Sequence, residues 1–94
     1  MMKLPVNYNE LTFIERKRIR EEYINIQKGK CKYCGEYLHN DPSEEVKNKW
    51  INLKLFPPNF LKYPLHLHHD HITGLTIGTV HARCNAVLWQ YHGE

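Results

Sequence analysis

Several patterns are missing from this chain, and each absence closes off a class of protein. No window approaches the ~20 consecutive apolar residues of a membrane-spanning helix. The Met1-Met2-Lys3-Leu4-Pro5 start lacks the apolar centre of a secretion signal. A soluble, intracellular, cytoplasmic protein with no membrane partner is therefore expected. Serine occurs once, at Ser43, no Gly-rich phosphate loop is present, and no paired acids sit in a glycosidase-like arrangement, so those chemistries have no residues to work with. Cysteine occurs only three times, which cannot pair completely within one chain. Two of the three lie in Cys31-Lys32-Tyr33-Cys34, where reduced metal-binding thiolates are favoured over a disulfide framework. No repeat, low-complexity tract or Gly/Ser linker divides the 94 residues, which predicts a single domain spanning 1–94. At that size one core buries only ~60–70% of the unfolded surface, and a metal clip helps.

What is present is concentrated between Leu65 and Tyr91. This stretch holds five of the seven histidines (His66, His68, His69, His71 and His81), the third cysteine, Cys84, and Asn85 directly after it. Leu65 to His69 alternates like a short strand, Thr73-Gly74 signals a turn, Ile77 to Val80 suits a second strand, and Ala82 to Tyr91 suits a helix. The expected fold class is a small α+β domain.

Upstream, Asn9 to Lys28 reads as a basic amphipathic helix with Asn9 or Thr12 as N-cap and Lys28-Gly29 closing it. Leu11, Ile14, Ile19, Tyr23 and Ile26 share one half of the helical wheel. Net charge is only +3, yet Arg16, Lys17, Arg18, Arg20, Lys28, Lys30 and Lys32 crowd this segment. Either they contact a polyanion such as DNA, or they form a solvated face on which Glu15, Glu21 and Glu22 offer local ion pairs.

Two thiolates separated by two residues can bite one tetrahedral ion, and the surrounding sequence lacks the strand-helix-strand context of a redox pair. His81-Ala82-Arg83-Cys84 supplies a second pair at the same separation, so Cys31, Cys34, His81 and Cys84 make a candidate Cys₃His structural zinc site. His39 and His92 are alternative histidine ligands. Residues 40–64 read as an insertion with a helix over Asn40 to Lys54, capped by Asp41, with Pro42 in its first turn and Trp50 in the core. Pro57-Pro58 ends it.

With His68-His69-Asp70-His71, Thr73-Gly74, a later Gly78 and a knuckle ending in Cys84-Asn85, the chain resembles the HNH (His-Me finger) nucleases, and within them the recombination endonuclease VII subgroup. The resemblance covers Gly29 to Trp89 without the insertion, about half the chain. It implies a ββα-metal finger over residues 65–91, braced by a structural zinc whose first knuckle is residues 31–34, and an activity that hydrolyses DNA phosphodiester bonds. Carried over residue by residue, His68 falls where the subgroup has a metal-binding Asp, His69 on the general base, and Asn85 on the remaining ligand of one catalytic divalent metal. Cys31, Cys34, His81 and Cys84 fall on the zinc positions, with His81 replacing a cysteine. Imidazole in place of the Asp carboxylate favours manganese, cobalt or nickel at least as well as magnesium.

The alternative register makes Asp70 the metal ligand and His71 the base, and strand alternation does not choose between the two. In the preferred register Asp70 and His71 orient the base or touch the phosphate. Candidate DNA contacts are Arg16, Lys17, Arg20, Lys30, Lys32 and Arg83. A zinc-stabilised nucleic-acid-binding module without catalysis is the first alternative, and a zinc-stabilised protein-interaction domain the second. A monomer that nicks DNA fits the length better than a junction-resolving dimer, although the Trp50 insertion offers a homodimer contact. Phage or mobile-element origin is an expectation from the resemblance alone.

Overall fold

The computed structural model describes residues 3–93; Met1, Met2 and Glu94, which belong to the single-domain span, lie outside the described residues. Helix α1 (Phe13–Ile26) comes first, followed by a knuckle loop, a single helical turn α2 (Glu44–Lys47), strand β1 (Leu65–His69), strand β2 (Thr76–His81) and helix α3 (Ala82–His92). The strands form a two-stranded antiparallel sheet, and α3 begins on the residue after β2. This is a small mixed fold of helices and one hairpin, and among the described residues no helix is long and apolar enough to cross a membrane.

Leu65 pairs with His81, His66 with Val80, Leu67 with Thr79 and His68 with Gly78; the register then shifts so that His69 pairs with Thr76, leaving Ile77 unopposed. This bulge sits beside the histidine cluster, where an extra residue re-aims the side chains next to it. The side of the hairpin that carries Val80 packs against Val87 of α3, with Cys31, Leu38, Val46 and Ile51 completing that core. The side that carries Leu67 packs against Ile19 and Tyr23 of α1. Ile19 is fully buried, worth roughly 1.5–3 kcal/mol relative to leaving it exposed.

Helix α1 starts at Thr12, one of the two expected caps, in a reciprocal capping box with Glu15. The inward face is narrower than the periodicity suggests, because Ile14 and Ile26 are both 65% exposed and only the middle of the helix crosses the hairpin. Among the described residues the ion pairs expected along α1 are absent, since both salt bridges belong to Lys47. Along this helix Glu15 and Arg18 interact through their charges without a close ion pair.

The insertion departs furthest from expectation. Only a single α-helical turn forms, with a separate 3-10 turn at Leu53–Leu55; the α-helical turn is capped by Ser43 rather than Asp41, and Trp50, expected in the core, is 70% exposed. The cause is competition for carbonyls: Arg83 donates to the carbonyls of Val46, Lys47 and Lys49, and Gln90 and Tyr91 donate to that of Trp50. With those acceptors engaged by α3 the chain crosses that helix in irregular form, turning Ile51 inward and Trp50 outward.

Candidate metal centre and histidine cleft

The first site lies where the knuckle loop meets the β2–α3 junction. Gly35 takes φ 80°, a left-handed conformation that glycine adopts without penalty, and lets its amide donate to the Cys31 carbonyl. The knuckle is strapped to β2 by the Lys32 amide on the Thr79 carbonyl at 3.0 Å. Gln27, the last residue of the α1 segment, completes the strap: its amide nitrogen donates to the carbonyls of Lys30 and Thr79, and its oxygen accepts from the Thr79 amide. Gly78 permits this approach, since a Cβ there would stand 2.7 Å from Gln27 Oε1.

The result is a cluster of Cys31, Cys34, His81 and Cys84 whose ligand atoms all lie within 4.8 Å of one another, a group that can hold a metal ion such as zinc. His81 faces the thiols with Nδ1, 3.5 Å from Cys34 Sγ and 3.6 Å from Cys84 Sγ. A tetrahedral zinc with bonds of ~2.3 Å to sulfur and ~2.0–2.1 Å to nitrogen separates S and N ligands by ~3.5–3.6 Å, so the donors fit the ion. The other ring nitrogen, Nε2, lies 3.1 Å from the Tyr37 carbonyl and 3.0 Å from that of Asn40. Donating there fixes the tautomer and leaves Nδ1 as the ligand. Crowding the thiols splits their acidities: the hydrogen bond from Cys84 pulls the Cys31 thiol down to about 4 against its burial, while the same contact and burial push Cys84 up. A bound dication removes that conflict by stabilising all the thiolates together. His39 and His92 are outside the cluster, His39 against the Tyr37 ring and His92 against that of Tyr33.

The second site is a cleft of about 440 Å³ between α1, β1 and the start of α3. Its lining includes His66, His69, His71, Asn85, Arg16 and Arg20, and among the described residues no carboxylate lines it. Its geometry depends on a segment without a sequence signal. Asn7 bridges to Leu75, Val6 and Thr76 exchange hydrogen bonds, and the Tyr8 amide donates to the Gly74 carbonyl at 2.8 Å. Gly74, at φ 79°, leaves room for this: a Cβ there would stand 2.8 Å from Asn7 Oδ1. Tyr8 is thereby stacked on His69, with ring centroids 3.8 Å apart and planes within 5°. His69 stacks in turn on His71 at 4.9 Å, and His71 on Trp89 at 5.1 Å. The Arg16 guanidinium closes the far end of the column 3.9 Å over the Tyr8 ring while donating to the Tyr8 carbonyl.

Burial pushes His69 below the ordinary histidine range, and the neighbouring His71, His68 and Arg16 add to the effect. His66 is lowered too, first by burial. Its Nδ1 lies 3.1 Å from the Asn85 amide nitrogen, which donates to it from the first turn of α3. Asn85 makes this bond to His66; His68 is buried on β1 and does not line the cleft. Asp70 spends Oδ1 on the amides of Ile72 and Thr73, which close the hairpin turn and hold its carboxyl below the usual carboxylate range.

Of the expected DNA contacts, Arg16 and Arg20 reach the cleft, whereas Lys17, Lys30 and Lys32 are exposed away from its lining. Arg83 lies outside the cleft lining and donates its guanidinium to three backbone carbonyls. Tyr8 and Gln27 carry no pattern that would mark them in the sequence; His66 does, as the first histidine of the Leu-His-Leu-His alternation. No protein-family model, curated protein or solved structure matches this chain.

Proposed function

We propose that this chain is a metal-dependent endonuclease of the HNH (His-Me finger) type, its hairpin and α3 forming a ββα-metal finger, its Cys₃His cluster a structural zinc site, and DNA its substrate. The observation that carries this reading is the placing of His69: stacked between Tyr8 and His71, its pKa lowered by burial, in a cleft lined by arginines and, among the described residues, by no carboxylate. A neutral imidazole accepts a proton near pH 7, and arginine supports a phosphate. Asp70's commitment to the turn favours His69 over the alternative base His71 with Asp70 as ligand.

In the reaction His69 takes a proton from water, the oxygen attacks phosphorus, the bond to the 3′ oxygen breaks, and that oxygen takes a proton from solvent, leaving 5′-phosphate and 3′-hydroxyl ends. Arg20 holds a phosphate oxygen on the cleft wall. By the resemblance His68 and Asn85 would hold the catalytic ion, which when bound would supply positive charge to the phosphate and its leaving oxygen; of the two, Asn85 lines the cleft and His68, buried on β1, does not. Asn85 uses its nitrogen on His66 and keeps Oδ1 for a cation. Imidazole and amide donors suit manganese, cobalt or nickel at least as well as magnesium.

Supercoiled-plasmid cleavage by wild type and His69→Ala, across those four metals, tests the reading. Product from wild type alone supports it; equal product from both sinks the assignment of His69. A second reading, a nucleic-acid-binding module without hydrolysis, is favoured by one observation, the position of His68 outside the cleft lining. Salt-sensitive DNA binding with no product under any metal would select it, and the absence of DNA binding would leave a protein-interaction domain.

A further inference from the structure

The cleft is lined by both cationic and aromatic side chains. Arg16 is committed to Tyr8, whereas Arg20 lines the wall and, among the described residues, is in neither salt bridge. The aromatic lining includes Phe13, 82% exposed, and Tyr63, 61% exposed, with Phe60 packed edge-on against His66 at 4.6 Å. Phe13 and Tyr63 are absent from both core clusters, so the packing described above does not depend on either ring. A groove joining an uncompensated guanidinium to exposed aromatic faces matches what a single strand presents, a phosphate and an unstacked base one sugar apart. In a closed duplex the base faces are occupied by their neighbours, and these rings would have nothing to hold.

We propose that the cleft is a binding site for an unpaired nucleotide of single-stranded DNA, its phosphate on Arg20 and its base against the exposed rings of Phe13 and Tyr63. This deepens the nuclease reading and rests on it for the nature of the polyanion. It makes the preferred substrate a strand with an unpaired nucleotide at the scissile bond.

The test is binding of a single-stranded oligodeoxynucleotide carrying a fluorescent base analogue, and of its blunt duplex, to the zinc-loaded protein at low salt. Wild type should bind the single strand more tightly and change the analogue's fluorescence as the base leaves water. Alanine substitution at a base-stacking ring costs ~1–3 kcal/mol per base, so Phe13→Ala and Tyr63→Ala should each lower the single-strand over duplex preference by ~5–150-fold. Both side chains are largely exposed, and zinc content and melting temperature check that each variant folds. Equal affinity for both DNA forms, or a preference that survives both substitutions, overturns the proposal. Cleavage separates its fate from that of the nuclease reading. A single-strand preference lost in both variants, with no cutting under any metal, keeps the base site and removes the nuclease. Metal-dependent nicking of closed duplex without single-strand preference does the reverse.

Discussion

The two ends of the hairpin carry the same side chain in opposite conditions. His81, at the end of β2, is 4% exposed and has both ring nitrogens engaged, one toward the thiols and one toward backbone carbonyls. His69, at the end of β1, is half-buried, stacked between two rings, hydrogen-bonded at one point to the Leu67 backbone, and shifted toward its neutral form. A histidine whose nitrogens are both spent can only hold something in place. One oriented by ring faces and a single backbone bond keeps its other nitrogen for a proton. The contrast follows the general difference between closed structural metal sites and open reactive ones.

The largest effect should come from breaking the closed end. Structural zinc carries an apparent ~10–16 kcal/mol in zinc-finger peptides, comparable with the ~5–15 kcal/mol total stability of a domain. Cys31→Ser or Cys84→Ser should abolish the cooperative melt seen by circular dichroism; a fully folded variant devoid of metal would refute the staple. His69→Ala, at the open end, should leave that melt unchanged and reduce plasmid nicking by roughly 10²–10⁴-fold, the usual contribution of a positioned proton acceptor.

The contrast is sharpened by pH. An active His69 must be neutral, and burial lowers its pKa, so protonation sets in only below the ordinary value of ~6.5. The acid limb of the rate profile should therefore fall below ~6.5, and a limb at or above that value contradicts the burial argument. Tyr8→Ala removes one face of the grip, with the ~0.5–1.5 kcal/mol of an aromatic pair. It should cut the rate by ~2–10-fold and move the acid limb up, while Tyr8→Phe restores both. The smallest effect on activity is expected at Arg83, where alanine should act on stability instead, lowering it by about 1–2 kcal/mol through the loosened insertion. It should leave the salt dependence of DNA binding untouched, and a slope reduced by about one unit would return Arg83 to the phosphates.

Local signals made the closed end legible. The Cys31/Cys34 and His81/Cys84 spacings, the alternation of Leu65 to His69, the Thr73-Gly74 turn and the α3 pattern are all short-range, and the structure carries them as a hairpin followed directly by a helix around one metal-binding cluster. The cleft was less legible because its parts are distant in sequence. Nothing near Tyr8 indicates that it meets His69, and Gln27 reads as an ordinary helix-end residue although it joins α1, the knuckle and β2. The insertion misled for the same reason: Val46, Trp50 and Leu53 recur at helical spacing, but α3 side chains from Arg83 to Tyr91 take the carbonyls such a helix would need. Long-range competition for hydrogen bonds leaves no periodicity to read.

The unopposed Ile77 gives the hairpin a change of reading frame. Between Leu65 and His68 the in-out order of side chains is tied to the metal cluster through the pairing of Leu65 with His81; beyond the bulge the count restarts, and His69 answers to Thr76 and the docked Tyr8 segment instead. Loss of that single residue would turn the pairing of His69 with Thr76 into a regular step of the ladder and straighten β2 there, re-aiming the turn end and the Tyr8 segment docked on it while leaving the metal end as it is. The bulge thus lets the two ends of one short hairpin be adjusted by natural variation almost independently, the closed end for holding the fold and the open end for whatever enters the cleft.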